Sequence, residues 1–197
     1  MHTPNTDLWQ LPTRLRELIE AELNDAEKIT WIGRPIPRRF ALGSIPIVLF
    51  GIPWTAFALF WMAGASGFQI PDFKEGFDLF PLFGIPFILI GFGMLSTPFW
   101  MVRKAKKTAY ALTTTRAIIF DGGFSTTIRS FGPDRLTDLR RKQRSDGSGD
   151  LIFERKHSYG SDGDRQTTDH GFLAITDVKA VEDMVRQLVD TSAKNEA

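Results

Sequence analysis

Side chains that commonly perform chemistry are sparse in this sequence of 197 residues and form no recognisable catalytic pattern. There is no cysteine, which excludes disulfides, thiol catalysis and cysteine-based metal sites. The three histidines are His2, His157 and His170, and the last two fall in segments rich in turn-forming and charged residues. A metal pair formed by these two is less favoured than two exposed histidines in loops.

Four aspartates close to glycine-rich turns raise the question of a calcium site. They are Asp146, Asp150, Asp162 and Asp164. A calcium-binding EF-hand loop needs twelve residues and a terminal glutamate, which this spacing does not provide, so we interpret the aspartates as turn formers. The segment 147–149 also lacks the lysine and glycine spacing of a phosphate loop, and the pattern of a nucleophilic serine. The sequence therefore predicts no enzyme, no cofactor and no metal site.

The strongest functional signal is electrostatic. Between Arg103 and Arg144 the chain has eleven lysines and arginines against three aspartates, a net charge of +8. Beside an anionic membrane each such cation contributes about 1 kcal/mol of attraction, so the basic region is a candidate surface for lipid headgroups or a partner. The alternative is that four of these cations only set membrane topology and the rest are solvated. The candidate contact residues are Arg103, Lys104, Lys106, Lys107, Arg140, Arg141, Lys142 and Arg144.

Nucleic acid is a less favoured partner for this basic region. The run from Arg140 to Arg144 contains no aromatic side chain. Surfaces that bind single-stranded nucleic acid interleave cations with aromatic rings on which bases stack. The sequence therefore favours anionic lipid headgroups or a protein partner in the membrane.

Two uncharged apolar stretches indicate how the basic region is positioned. Residues 40–63 and 79–102 contain no Asp, Glu, Lys, Arg or His. As a helix each stretch is long enough to cross a hydrocarbon core of about 30 Å. Their prolines predict bent helices, which a bilayer tolerates better than water does. We predict a transmembrane hairpin over residues 40–102 with a connecting loop at 64–78, and we favour it over an apolar soluble core.

Basic residues near the span ends predict the orientation of the hairpin. Three arginines precede the first span and four cations follow the second, whereas the loop has one lysine among three acids. The positive-inside bias then places both termini in the cytoplasm. A cleaved signal peptide is less favoured, because a long charged segment precedes the first span. The predicted topology and interface anchors are Trp31, Arg34, Arg38, Arg39, Trp61 and Trp100.

The segments on either side of the hairpin have patterns of folded structure. In the N-terminal arm, residues 1–39, an apolar stripe begins at Leu11 and predicts an amphipathic helix. We favour packing of this helix on the protein's own soluble domain over a membrane or partner surface. Residues 103–197 contain short strand-like segments, among them 136–144 and 171–175, with a probable hairpin turn at 113–116 and a further turn at 160–164. A helical stripe follows from about Asp177 to Val189. These patterns predict a small antiparallel β-sandwich or barrel capped by a C-terminal helix, and an α+β membrane protein overall.

Four short motifs lie in order along the chain: Glu27–Pro35 before the hairpin, then Tyr110–Ile119, Asp146–Leu151 and Gly171–Ile175 after it. In this order they resemble a bacterial family of membrane-anchored proteins with a pleckstrin-homology-like (PH-like) domain. Thr114 departs from the Asn or Asp that such sequences often have in this turn. The resemblance spans about residues 23–188. It implies a seven-stranded bent sheet capped by a helix, and it implies no established catalytic residues.

These patterns together lead us to expect a non-enzymatic inner-membrane protein. Its hairpin would hold a cytoplasmic PH-like domain at the membrane surface, where the domain binds a protein partner or anionic lipid headgroups. The alternative is a structural or assembly subunit of a membrane complex that acts through the hairpin. Glycines that permit close helix contact in that case are Gly43, Gly51, Gly84, Gly91 and Gly93.

Overall fold

The computed structural model describes residues 6–67, 81–123, 125–159 and 165–196. In these ranges the chain is α+β, with five α-helices and two antiparallel sheets. It divides into two compact units, one formed by residues 1–40 with 103–197 and the other by residues 41–102. In the predicted domain organisation the N-terminal arm is separate from the C-terminal part. The structure joins them, because a strand of the arm pairs with a strand that follows the hairpin.

The first unit contains both sheets. The four-stranded sheet has the order β1-β2-β3-β4, formed by β1 (Ile29–Gly33), β2 (Ala109–Thr113), β3 (Ala117–Asp121) and β4 (Thr127–Phe131). The three-stranded sheet has the order β5-β6-β7, formed by β5 (Arg140–Gln143), β6 (Gly149–Tyr159) and β7 (Arg165–Ile175). The hairpin predicted around residues 113–116 joins β2 to β3, where Thr113 Oγ1 accepts hydrogen bonds from the N–H groups of Thr115 and Arg116. The turn predicted at residues 160–164 lies outside the described residues.

Both sheets share one hydrophobic core with the C-terminal helix α5 (Val178–Glu196). Val178, Val181 and Val185 of its apolar stripe are buried against residues from each sheet, as the 3.6-residue periodicity predicts. Trp31 lies in the same core, with its ring centroid 5.2 Å from that of Phe172. The prediction that Trp31 anchors the membrane interface is therefore wrong, because its side chain points from β1 into the core.

Helix α1 (Thr13–Glu22) covers the opposite face of the four-stranded sheet. Leu15 and Ile19 of α1 are buried against a second cluster that includes Ile118 and Phe120 of β3. Both faces of β2 and β3 are thus covered, which explains why these strands are apolar at nearly every position. Packing of the N-terminal helix on the protein's own sheet is confirmed.

The second unit is a pair of apolar helices. Helix α2 (Pro37–Ala41) leads through a short 3-10 turn into α3 (Ile45–Ala65), and a 3-10 turn at Pro81–Gly84 precedes α4 (Ile85–Lys106). The helical stretches Pro37–Ala65 and Ile85–Lys106 are long and apolar enough to cross a membrane. Only 17% and 6%, respectively, of the apolar segments of these helices are buried. The predicted loop lies outside the described residues from position 68 onward. Helix α4 continues four residues beyond the predicted end of the second span.

Small residues allow α3 and α4 to approach closely. A Cβ atom added to Gly91 would lie 2.2 Å from Thr55 Oγ1, and one added to Gly51 would lie 2.9 Å from Met94 Cβ. Thr55 Oγ1 donates a hydrogen bond to the carbonyl of Gly51 at 2.6 Å, so its polar atom is satisfied within its own helix. Trp54 donates across the pair to the carbonyl of Phe87 at 3.0 Å. Close approach at small residues and hydrogen bonds between helices are typical of helix pairs in membranes, where the hydrophobic effect does not drive helices together.

Candidate interaction surface

Strand β5 contains three of the predicted contact residues, Arg140, Arg141 and Lys142, and the fourth, Arg144, directly follows it. The strand lies at an edge of its sheet. All four residues of the strand are exposed. The sequence predicts a longer strand, from Leu136 to Arg144. The observed strand is shorter than the predicted one, because Pro133–Arg135 form a 3-10 turn and Leu136 is buried in the core. What remains is a short and strongly basic edge strand.

Three of the eight predicted contact cations are ion-paired. Lys104 Nζ lies 3.0 Å from a carboxylate oxygen of Asp121, and Lys142 Nζ lies 3.6 Å from Asp169. Arg141 bonds the carboxylate of Glu182 on α5. The other five have no carboxylate within 4.0 Å in the parts of the chain that the structure describes: Arg103, Lys106, Lys107, Arg140 and Arg144. These five carry the charge that remains available to an external anion.

Four of the five uncompensated cations belong to two groups with different local roles, and the fifth, Lys107, donates to the carbonyl of Gly123 at 3.4 Å. Arg103 and Lys106 lie in the last turn of α4, where positive charge is favourable beside the free carbonyl groups of a helix end. Arg34 supports the same helix end, since its guanidinium donates to the carbonyl of Lys106 at 2.7 Å. The side chains of Arg140 and Arg144, at β5, have no such local role among the described residues. A contact function is therefore the better explanation for the β5 group.

The turn after β5 is held by several hydrogen bonds. The carboxylate of Asp146 accepts from Ser148 N at 3.2 Å and from Ser148 Oγ at 2.8 Å, and it also pairs with Arg39. Hydrogen bonds from Ser148, followed by the charge of Arg39, lower the pKa of Asp146. Gly147 has a φ of 80°, which favours glycine. Asp146 is thus a turn former, as predicted, and it holds the β5–β6 hairpin in place.

Asp146 and Asp150, two of the four aspartates of the rejected calcium site, have different hydrogen-bond partners. Asp150 accepts a hydrogen bond from the main-chain N–H of Ala174 at 2.7 Å, which links β6 to the end of β7. Asp162 and Asp164 lie outside the described residues. Within the described ranges the structure has no group of three or more His, Asp or Glu side chains that could hold a metal ion.

Both histidines of the C-terminal part lie on strands, so their prediction as loop residues is wrong. His157 is on β6, and His170 is on β7 with its Nδ1 accepting from Arg129 Nη1 at 2.7 Å. Burial, and then the positive charge of Arg129, lower the pKa of His170. The neutral ring is therefore favoured at neutral pH. The sequence did not indicate a strand here, because residues 165–170 are polar at every position.

Sequence reasoning also missed a buried ion pair that attaches the N-terminal arm to the sheet. The carboxylate of Glu27 accepts from Arg116 Nε at 2.9 Å and Nη2 at 3.0 Å, and from Thr113 Oγ1 at 2.6 Å. Burial alone raises the pKa of Glu27, but these hydrogen bonds outweigh it and lower the pKa to about 2. A signal was present, since Glu27 and Arg116 belong to the first and second motifs of the resemblance. Their pairing has no local sequence pattern.

The second unit contains an apolar groove of about 320 Å³. Its walls include Trp54 and Trp61 of α3 and Phe87 of α4. Trp61 was predicted as an interface anchor and lies in this groove, whereas Trp100 is 52% exposed on α4. Because the lining is almost entirely apolar, the groove suits a hydrocarbon chain or an apolar helix, and its described lining residues include no group for acid–base chemistry.

Fold and surface define the class of this protein: an α+β chain with two antiparallel sheets, and with two helices long and apolar enough to span a membrane. Comparison with models of protein families, with curated proteins and with solved structures found no match. Function is therefore inferred from the residues of this chain.

Proposed function

We propose that this chain is a non-enzymatic membrane protein that holds an interaction domain at a bilayer surface. Its two apolar helices span a bacterial inner membrane, with both termini in the cytoplasm. The unit formed by residues 1–40 and 103–197 is a PH-like domain that binds a protein partner or anionic lipid headgroups. The observation that carries the proposal is the positive charge of Arg140 and Arg144 at an exposed sheet edge, which no acid in the described parts of the chain compensates.

The exposed surface of the helix pair supports insertion into a membrane. Phe57 and Phe60 of α3 are each 67% exposed, and Phe99 of α4 is 66% exposed. Apolar surface of this extent is unfavourable in water and matches the hydrocarbon core of a bilayer. The cations at the end of α4 support a cytoplasmic location for that end.

The arrangement of strands supports the PH-like interpretation. Sheets of four and three antiparallel strands share a core with a C-terminal helix, and the resemblance implies seven strands capped by a helix. In the sequence the apolar helix pair lies between β1 and β2, and these two strands still pair with each other. A domain of this kind can be anchored by its own insertion and still fold around one core.

The alternative is an assembly subunit that acts through the hairpin, and it has less support. Gly51 and Gly91 are occupied by contacts between α3 and α4, and Gly84 faces Met62 and Trp61 of the same unit. Gly93 has open space around it, and the apolar groove offers a further surface. These two features keep assembly as the second candidate.

Crosslinking in native membranes tests the proposal against this alternative. The tagged full-length chain is compared with R140Q/R144Q and with the control R14Q/K28Q, which removes two exposed cations elsewhere in the same unit. We expect a crosslinked partner with the wild type and the control, and its loss in R140Q/R144Q. The same adducts in all three proteins would contradict a role for the basic edge and favour the hairpin.

A parallel measurement tests lipid headgroups. The full chain in nanodiscs of neutral lipid is mixed with fluorescent vesicles that contain anionic phosphatidylserine. If headgroups are the ligand, R140Q/R144Q captures fewer vesicles than R14Q/K28Q does, and high salt releases the vesicles from the wild type. Capture that is equal for both variants would contradict headgroup binding at β5.

A further inference from the structure

We infer that β5 is a docking strand, to whose free edge an acidic and extended segment of a partner protein adds as a further strand. The inference rests on the proposed function and specifies it, since it selects a peptide over lipid headgroups. The exposed residues Arg140 to Gln143 supply both parts of such a contact. Their main chain offers hydrogen bonds, and their side chains offer positive charge.

The main-chain groups that face outward can be assigned from the pairing of β5 with β6. Arg144 N–H donates to the carbonyl of Ser148 at 2.8 Å, where the hairpin continues beyond β5. Because alternate residues of a strand point their N–H and C=O groups to opposite sides, those of Lys142 and Arg140 also face β6. The N–H and C=O groups of Arg141 and Gln143 therefore point away from the sheet.

These outward groups have no partner from elsewhere in the described ranges. No main-chain hydrogen bond to Arg141 or Gln143 from outside the β5–β6 pair is found there. Side-chain hydrogen bonds stabilise β5 without using this edge: Arg141 bonds Glu182, and Asp146 bonds Ser148 in the following turn. The edge is thus preformed, so the addition of a strand requires little loss of conformational entropy in β5.

Charge selects the kind of strand that can add. A second copy of β5 would place arginines opposite arginines, which is unfavourable between paired strands, so self-association at this edge is disfavoured. An acidic strand places carboxylates beside Arg140 and Arg144, which have no acidic partner within the described parts of the chain. Lipid headgroups could use the same charges, but they have no regular series of main-chain donors and acceptors to match the edge.

Binding of a defined peptide tests the inference. The probe is a fluorescent peptide of alternating glutamate and valine, added to the full-length chain in neutral nanodiscs. We expect saturable binding that a lysine–valine peptide does not show. An otherwise identical probe with N-methylated alternate amides keeps its charge but loses hydrogen bonds, and we expect it to bind about tenfold more weakly.

Substitution at Gln143 makes the same test on the protein. Q143P removes one outward N–H group at constant charge, and proline is tolerated on the solvent side of an edge strand. Q143A keeps the N–H group and is the matched control. We expect Q143P to weaken binding of the peptide about tenfold and Q143A to leave it unchanged, with equal thermal midpoints for the two variants.

The outcomes separate this inference from the proposed function. Equal affinity for the methylated and unmethylated probes would overturn strand addition and leave a contact made by charge alone. Capture of anionic vesicles without binding of the acidic peptide would also overturn it, in favour of lipid headgroups. If neither probe binds but a crosslinked partner still depends on Arg140 and Arg144, docking by strand addition fails and the proposed function stands.

Discussion

Glu27 shows how a single buried carboxylate attaches one part of this chain to another. Its side chain is 1% exposed and pairs with Arg116, which also donates to the carbonyl of Glu22. Because the pKa of Glu27 is lowered to about 2, the folded state binds a proton there less readily than the unfolded state does. The stability that this group contributes is fully present above about pH 5. It is lost as the pH falls toward 2.

We therefore predict that E27Q destabilises the protein by about 3 kcal/mol at neutral pH, because Arg116 loses its buried counter-charge. The same variant should have a weaker loss of stability between pH 5 and pH 2 than the wild type. Thermal unfolding in detergent micelles, followed by circular dichroism, measures both effects. E22Q is the matched control, since Glu22 contacts Arg116 at 3.4 Å from a more exposed position and should cost less than about 1 kcal/mol. Equal losses for the two variants would contradict the assigned role.

The contact between His170 and Arg129 leads to a second prediction at this scale. Charged groups from three strands surround the ring: Asp121 on β3, Arg129 on β4, and Glu154 and Lys156 on β6. R129Q removes the closest cation, so the pKa of His170 should rise. Histidine signals in an NMR pH titration of the full chain measure the change. K156Q removes a more distant and exposed cation and should raise the pKa less, and a pKa that falls in R129Q would refute the explanation.

At the scale of elements, the α3–α4 pair depends on glycine at one position and not at another nearby position. A Cβ at Gly91 would lie 2.2 Å from Thr55 Oγ1, whereas nothing lies within 4 Å of a Cβ at Gly93. G91A should therefore destabilise the helix pair by about 1–3 kcal/mol through overpacking. G93A makes the same chemical change in the same helix and should be close to neutral. Thermal aggregation in detergent measures the difference, and equal midpoints would argue against this packing.

How much of each element could be predicted depends on whether its signal is local. The β2–β3 hairpin and α5 have apolar patterns that are complete in themselves, and both occur near the predicted positions. The first half of β7 is polar on both faces, so only its apolar end from Gly171 was predicted. Trp31 was misassigned because a tryptophan shortly before an apolar span is equally typical of a membrane interface. Its burial follows from the distant pairing of β1 with β2.

The candidate surface was predicted in composition but not in geometry. Counting cations identified the basic region. Among the described residues, however, the difference between Arg141, which is paired, and Arg140, which is not, depends on Glu182, a residue about forty positions away. The position of β5 at a sheet edge depends likewise on the order of strands in the sheet. Such non-local facts have no signature in a short window of sequence.

For the whole molecule, the absence of native cysteine makes the proposed topology directly testable. S66C places a thiol after the first apolar helix, and A193C places one near the end of α5. In intact cells with a permeable outer membrane, we expect a membrane-impermeant maleimide to label S66C and to leave A193C unlabelled. Detergent should expose both thiols. Labelling of A193C without detergent would reverse the orientation.

The pairing of β1 with β2 has a consequence for biogenesis. Ile32 pairs with Ala111, so two strands separated by the whole apolar helix pair lie side by side in one sheet. In a bilayer these strands can meet only when the chain crosses an even number of times. In a molecule with one span left uninserted, β1 and β2 would lie on opposite sides of the membrane. The four-stranded sheet would then lack its edge strand, and the core would lack Trp31. Under the proposed topology, completion of the sheet therefore excludes molecules in which only one of the two helices is inserted, and such molecules would present an incomplete sheet to quality-control proteases.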